Sequence, residues 1–533
     1  MTTVDDSVID VDDRPVADLK GFGYEQQLER KVGTFASFAV GFSFVSILTT
    51  VFQLFGLGFG FGGTAFFWTW PVVLVGQMMV ALCFSELAAR YPLSGAIYQW
   101  SRRMGGSVIG WFAGWTMIIA QIVTLAAAAI ALQVVLPVIW TGFQLVGTDP
   151  SLGSASGAAN AVILGVVLLA VTTMINAASI RMTAIASSVG VVCELIGVAL
   201  VVVLLFTKAE RGPDVVLHAT NLDPSTGYFV PLLMSSLMAA YVLVGFDSAG
   251  ELSEETHDPR RTAPRTILRA VAASGLGGAL LIVAALMAAP SLTDGDLASQ
   301  GLPYVLTSRL GTVPGKMLLL DVAIAIFVCT LAIQTSATRM IFSMARDRVL
   351  PFSSRLAKVS ARTGTPVMPT LVSGVIAAAL LVVNIGNPAL FLALTSVCIM
   401  LMYLAYLMVT VPMLVQRIRG NLATGGQDET GAPLFSMGRW GLPVNAVAVV
   451  YGLAMAVNLG WPRSEVFDPQ GGHWYLQWVG PIALGVTAVA GLFAYLSQRS
   501  EYHAALRASA PSAAPVIVAG DLLGAPVVGT EEA

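Results

Sequence analysis

The chain has 533 residues, of which 56% are hydrophobic and 11% charged, against about 25% charged in an ordinary soluble domain. A mean hydropathy of +0.78 excludes a soluble globular protein and leaves an all-α integral membrane fold. The net charge of −3 includes no basic block, so nucleic acid is excluded as a partner.

Residues 1–30 are acidic and polar, with no apolar signal region, and read as a disordered cytoplasmic tail. Apolar windows of about 20 residues then predict twelve spans. They lie near 34–56, 66–88, 108–139, 159–179, 182–206, 229–252, 266–289, 316–345, 367–386, 389–415, 443–460 and 477–497. With the N-terminus inside, 23 Lys and Arg fall on the cytoplasmic side and five outside: Lys208, Arg211, Arg309, Lys316 and Arg463. That asymmetry predicts both termini cytoplasmic in a plasma (inner) membrane protein. Residues 498–533 form the second tail, rich in Ala, Pro, Ser and Gly near its end, with 501–507 a polar extension of the last span.

Cys83, Cys193, Cys329 and Cys398 all fall in spans, and the four histidines form no cluster. No metal or cofactor is expected. An enzyme is not expected either, since no nucleophile–base pair and no phosphate-binding loop occurs.

The most informative stretch is Gly245-Phe246-Asp247-Ser248-Ala249-Gly250, which puts a carboxylate between glycines inside span 6. A polar break in hydrocarbon is tolerated only where it lines a cavity, and an ionisable residue there is a site hypothesis. Val244-Gly245-Phe246-Asp247 echoes Val40-Gly41-Phe42-Ser43 in span 1. Gly301, Tyr304, Ser308-Arg309 and Gly311 echo Gly95, Tyr98, Ser101-Arg102 and Gly105. The offsets are nearly constant, 204 from Gly41 to Gly245 and 206 from Tyr98 to Tyr304. Five spans separate the paired segments, so the halves run in opposite senses. The pattern is a five-plus-five inverted repeat, 31–206 and 229–415, with two helices appended over 443–497.

In that arrangement spans 1 and 6 are interrupted near the midplane, and half-helix ends suit the carboxylate and ammonium of a small ligand. Gly41, Ser43, Phe44, Val45 and Ser46 form the expected unwound segment of span 1; helix packing by small residues is the bland alternative. Gly245, Phe246 and Asp247 form that of span 6, with Asp247 either a ligand to the substrate ammonium or a helix cap.

Glu194 stands in mid-span 5, with no basic residue within a dozen positions. Such an acid is costly unless paired, protonated or wet. Three roles stay open: ion coupling, anchoring of unwound backbone, or a neutral core acid. Gln121, Gln334, Thr335 and Ser336 read first as interhelical hydrogen-bonding groups, with Thr335 and Ser336 as alternative hydroxyl ligands for sodium. Arg102 and Arg103, facing Arg339, Arg346, Asp347 and Arg348, suggest an inner gate of ion pairs, with plain positive-inside anchoring as the alternative. Glu254 and Glu255 are expected opposite Arg260 and Arg261.

The chain resembles the amino acid–polyamine–organocation (APC) superfamily of permeases, in the amino acid/choline branch that includes GABA permeases. The resemblance lies in 28–46, in Ser85-Glu86-Leu87-Ala88-Ala89-Arg90-Tyr91-Pro92 through Trp100, in Gly245-Phe246-Asp247 through Ser253-Glu254-Glu255-Thr256, and in Met344-Ala345-Arg346-Asp347-Arg348-Val349-Leu350-Pro351 with Arg339. It implies a LeuT-type fold and ion-coupled transport, with Phe246 as an aromatic gate over substrate. Proton-coupled relatives carry a lysine near the Glu194 position; this chain departs from them there.

The expected function is import of an amino acid or related, GABA-like amine by alternating access, with a proton favoured over sodium. Exchange, sodium-coupled carriage of choline or a polyamine, and a transport-inactive sensor are the alternatives. A polyamine site would want more than one acid at the centre, and only Asp247 and Glu194 read as deep in the membrane.

Overall fold

The computed structural model describes residues 19, 21–220, 227–293, 295–383, 385, 390–422, 425–427, 431–467 and 474–509. The expected tails fall outside the described residues at 1–18, 20 and 510–533. Among the described residues the chain is helical, with two isolated β-bridges and no longer strand. Hydrocarbon offers the backbone no hydrogen bonds, so the apolar segments close their own ladders.

Among the described residues, nine helical runs are long and apolar enough to cross a membrane, and Phe229–Val242 and Val367–Val383 are shorter apolar helices. We number the principal helices α1 (Thr34–Val45), α2 (Ile47–Gly62), α3 (Thr69–Arg90), α4 (Ala96–Gly105), α5 (Ser107–Ile130), α6 (Ala155–Ala178), α7 (Ile180–Thr207) and α8 (Phe229–Val242). There follow α9 (Ser248–Glu251), α10 (Pro259–Ala288), α11 (Asp296–Leu310), α12 (Thr312–Arg346), α13 (Val367–Val383), α14 (Leu390–Ile418), α15 (Gly441–Gly460) and α16 (Val479–Ser509).

The run from 34 to 90 is interrupted twice, at Ser46 and through the 3-10 segment Gly63–Trp68. Span 6 divides into α8 and α9 around residues 243–247. Both interruptions lie inside the protein, where α1 packs on α7, α9, α10 and α12, and α2 on α8 and α11. Around them α3 packs on α10 and α15, and α14 on α4, α5 and α15.

Helix α7 shows how one sequence serves two apolar surroundings. Gly190, Val191, Glu194, Gly197, Val198 and Val201 are buried at helical spacing, while Val189, Val192, Ile196 and Val203 are exposed. Its one acid sits on the protein-facing stripe.

Four glycines at positive φ mark helix joints. Gly95 (φ +79) opens α4, and Gly301 (φ +60) kinks α11. Gly106 (φ 89, ψ 176) and Gly311 (φ 85, ψ 168) launch α5 and α12 with nearly the same dihedrals. The left-handed region penalises a Cβ, which accounts for glycine at these turns.

Two sequence expectations change. The sequence from Tyr91 to Trp100 reads as a cytoplasmic loop with a short interfacial helix; the structure has α4 here, its residues Ala96 to Ser101 buried and packed on α5 and α14. Residues 21–30, assigned to the tail, are in part docked: Phe22 lies between Arg103 and Arg260, with guanidinium–ring distances of 5.3 and 5.8 Å. Val32 bridges to Thr256, exchanging backbone hydrogen bonds with Glu255 and His257 at 2.9 and 3.0 Å. Cation–π contacts and a backbone pair hold a segment that has too little apolar sequence to announce itself.

Candidate functional site

Span 1 breaks at one residue. α1 stays helical through Gly41, Ser43, Phe44 and Val45, and only Ser46, at φ 36 and ψ 95, leaves the helix. The unwinding expected from Gly41 is therefore confined to Ser46. A methyl at Gly41 would touch Ala249 and Thr266 at 3.4 Å, so this glycine seats α1 against α9 and α10.

The break is stitched by side chains. The Ser46 N–H donates to the Phe42 carbonyl at 2.8 Å, and the Ser46 hydroxyl donates to Glu194 Oε1 at 2.9 Å. The first turn of α2 also turns to this acid, since the Leu48 N–H donates to the same oxygen at 3.1 Å. Glu194 thus caps a helix on another span, meeting orphan N–H groups that α2 exposes at its start. The residue is 1% exposed, and its Oε2 has no hydrogen-bond partner.

Span 6 breaks over Leu243 to Asp247, with Gly245 at φ +91. A methyl there would stand 1.8 Å from the Phe44 ring, so the last turn of α1, just before the break at Ser46, packs on this glycine. Tyr406 of α14 supports the turn twice: its hydroxyl accepts from the Gly245 N–H at 3.0 Å and donates to Asp247 Oδ1. Asp247 Oδ2 has no partner, nor do the hydroxyls of Ser43 and Ser248, all buried. Phe246 packs in a triangle with Phe84 and Tyr406, at ring separations of 6.0, 5.6 and 5.0 Å. Such offset and edge contacts are the favoured aromatic geometries.

Thr335 and Ser336 point elsewhere. Thr335 donates to Asn176 Oδ1 of α6 at 2.6 Å, and Ser336 accepts from Gln121 of α5 at 2.9 Å. Gln334 bonds Thr173 at 2.6 Å. These polar groups make a seam between α12 and its neighbours, apart from the Ser46–Glu194 contact.

Beyond the breaks, the end of the molecule holding the N-terminal segment is closed by buried ion pairs. Arg339 is bidentate to Glu255 at 3.0 and 2.9 Å, with both side chains essentially buried. Arg346 is bidentate to Glu254 at 2.7 and 2.8 Å, and Glu254 also accepts from the Ser94 N–H at 3.0 Å. The structure sends these acids to α12, where the local sequence had suggested Arg260 and Arg261. Arg102 pairs with Asp347, which also accepts from Tyr98 and Tyr24 at 2.8 and 3.0 Å. Burial, and next the Asp347 charge, push the Tyr24 phenol above its ordinary value.

A profile of the amino acid permease family matches residues 32–485. The chain belongs to this family. It is an APC permease, and its function is transport of amino acids across a membrane. It is similar to amino-acid permease BAT1 of Arabidopsis thaliana, 27% identical across 86% of this chain and 90% of that protein. It is also similar to amino-acid permease 2 of Neurospora crassa, at 24% identity over 85% of this chain and 82% of the relative. The thiamine transporter thi9 of Schizosaccharomyces pombe is 24% identical over 74% of this chain and 72% of its own length.

Sequence reading missed several buried polar groups of the permease that lie near the breaks or deep in the helices. Tyr406 carried no signal, because its role depends on α14 crossing span 6. Two further acids lie deep: Glu251, wholly buried with neither carboxylate oxygen bonded, and Asp321 in α12, whose Oδ2 is buried without a partner. Asp321 was visible as an acid inside a span, the same signal that marked Glu194.

Proposed function

We propose that the permease imports an amino acid or related amine by proton symport, binding it between the two breaks. The observation that carries this reading is the packing of Phe44, two residues before Ser46, on Gly245, with Ser43 Oγ, Ser248 Oγ and Asp247 Oδ2 buried and unpaired in the same two segments. Unpaired buried polar atoms are costly, and a zwitterion would satisfy them. Asp247 Oδ2 accepts from the substrate ammonium, and the Ser43 and Ser46 hydroxyls serve its carboxylate. Phe246 closes over the ligand by leaving its place on Phe84.

Twelve crossings follow if the 34–90 run counts as two and the helices Phe229–Val242 and Val367–Val383 also cross. The five-plus-five inverted repeat is supported by the paired joints, at offsets of 206 from Gly95 to Gly301 and 205 from Gly106 to Gly311. The Lys and Arg asymmetry favours a cytoplasmic position for the ion-paired end and both termini, in the plasma membrane. In this orientation Arg102–Asp347 and Arg339–Glu255 form the inner gate, closed in the present conformation. Glu194 couples the proton to substrate because the hydroxyl it holds, Ser46, stands at the first break. Thr335 and Ser336 are the alternative, sodium-binding reading, less favoured because both hydroxyls are engaged away from span 1.

Purified permease in liposomes, given labelled amino acids and amines with an inward proton gradient imposed or collapsed, tests this. Accumulation of one class that vanishes with the proton gradient is expected. Accumulation that follows a sodium gradient, or exchange without either gradient, would replace the proton reading.

A further inference from the structure

The symport reading leaves two deep acids unused, Glu251 and Asp321, and the second lies beside the Glu194 helix. Asp321 lies nine residues into α12, about 13 Å along its axis from Thr312, in Leu318-Leu319-Leu320-Asp321-Val322. It faces α7, where a methyl at Gly197 would stand 1.6 Å from Asp321 Oδ2 and 3.2 Å from Leu48. Gly197 therefore admits the carboxyl into the α7–α12 contact, one helical turn from Glu194 and beside the first turn of α2. Asp321 Oδ2 and Glu194 Oε2 are both buried and unbonded, and Asp321 is in electrostatic contact with Glu194.

Among the described residues, nothing basic is paired with these two acids. Helices α1, α2 and α6 contain no ionisable residue. On α7, Arg181 is exposed at the start of the helix, and on α10 the arginines 260, 261, 265 and 269 occupy the first turns at the gate end. On α11, Arg309 is tied to Glu210. On α12, Arg339 and Arg346 are tied to Glu255 and Glu254, and Lys316 lies more than a turn before Asp321, partly exposed. The Cys329 thiol, beside Ser46 and Glu194, is the remaining titratable neighbour. An enclosed carboxylate with a half-buried one beside it and no cation between them disfavours ionisation of both at once.

We propose that Asp321 is a second proton-binding carboxyl of the coupling site, the station through which protons from outside reach Glu194. The inference rests on the symport reading above. Asp321 is partly exposed whereas Glu194 is enclosed, and it lies on the side of Glu194 away from the inner gate. A proton carried as the carboxylic acid of Asp321 leaves it as carboxylate and converts the Glu194 carboxylate to the acid. No other bond changes.

The test compares wild type, D321N, D321E, G197A and E194Q in liposomes, using the best substrate of the amino acid panel. Two readouts are taken: gradient-driven uptake against external pH, and counterflow without a gradient. Ion–substrate coupling in proteins is typically worth about 5- to 150-fold, and D321N is expected to lose gradient-driven uptake within that range while keeping counterflow. D321E restores the response with a displaced pH profile. G197A, whose methyl pushes the Asp321 carboxyl aside, gives the D321N phenotype and stands in if D321N fails to fold. D321N and G197A with wild-type pH profiles overturn the inference while E194Q still tests the coupling acid. A wild type driven by sodium and not by protons overturns the symport reading itself, and the proton station with it.

Discussion

Ser46 donates its hydroxyl to Glu194 at 2.9 Å, so the break in the first span is held by an acid from the fifth predicted span. The pair makes the shape of the break depend on the state of that carboxyl. E194Q keeps an oxygen to accept from Ser46 and Leu48 but cannot carry a proton. Counterflow should survive and proton-driven accumulation should disappear. E194A removes the acceptor and leaves buried donors unpaired, at a cost of about 1–3 kcal/mol. Thermal unfolding of the purified variants should rank them wild type, E194Q, E194A.

Tyr406 does for the second break what Glu194 does for the first. Y406F keeps the ring contacts with Phe84 and Phe246 and deletes the hydroxyl that joins Gly245 to Asp247. A loss of about 1–3 kcal/mol at a turn proposed to touch substrate should appear as weaker binding, about five- to 150-fold in Kd. Isothermal titration of the substrate, with the melting temperature as control, separates this from misfolding.

How much of this was open to the sequence follows from where each partner sits. The spans and the Gly245–Asp247 break were legible because their signal is local: apolar length, then glycines around a carboxylate. Glu194 stood out as an acid inside an apolar run, but its contact with Ser46 could not be read, since 148 residues separate them. Tyr406 looks like an ordinary core aromatic until α14 is laid across span 6. Glu254 and Glu255 were assigned to the nearest arginines in sequence, whereas α12 brings Arg346 and Arg339 closer. The stretch from Gly41 to Val45 was expected to unwind, but its helix survives because capping by Glu194 lets one residue absorb the turn.

The Arg339–Glu255 pair is the most enclosed part of the proposed gate. Removing one partner strands a buried charge, which costs about 3–5 kcal/mol. R339A should therefore lower the melting temperature strongly. R339K, which keeps the charge but loses the two-pronged contact, should fold and show faster opening of the cytoplasmic side. Cysteine-labelling rates at an introduced inner-vestibule site measure that opening; equal rates in R339K and wild type would count against a gating role.

Outside the membrane helices, Arg309 holds the Glu210 carboxyl below its ordinary value, first by hydrogen bonding and then by charge. A depressed carboxyl contributes stability above its unfolded value, and the contribution is lost as pH falls through the lower folded value. Glu210 is surface exposed, so salt screens the effect and it is small. Wild type should melt slightly above E210Q at neutral pH, with the two curves converging in acid. A difference that grows in acid would contradict the pairing.

The central claim is that substrate sits where the two interrupted spans meet. A cryo-electron microscopy structure with the preferred amino acid of the uptake panel tests it directly. The account predicts ligand density between Ser43–Ser46 and Gly245–Ser248, with the amine on Asp247 Oδ2 and Phe246 moved from its contact with Phe84. Density at any other position, with Asp247 and Ser43 still unpaired, would contradict it.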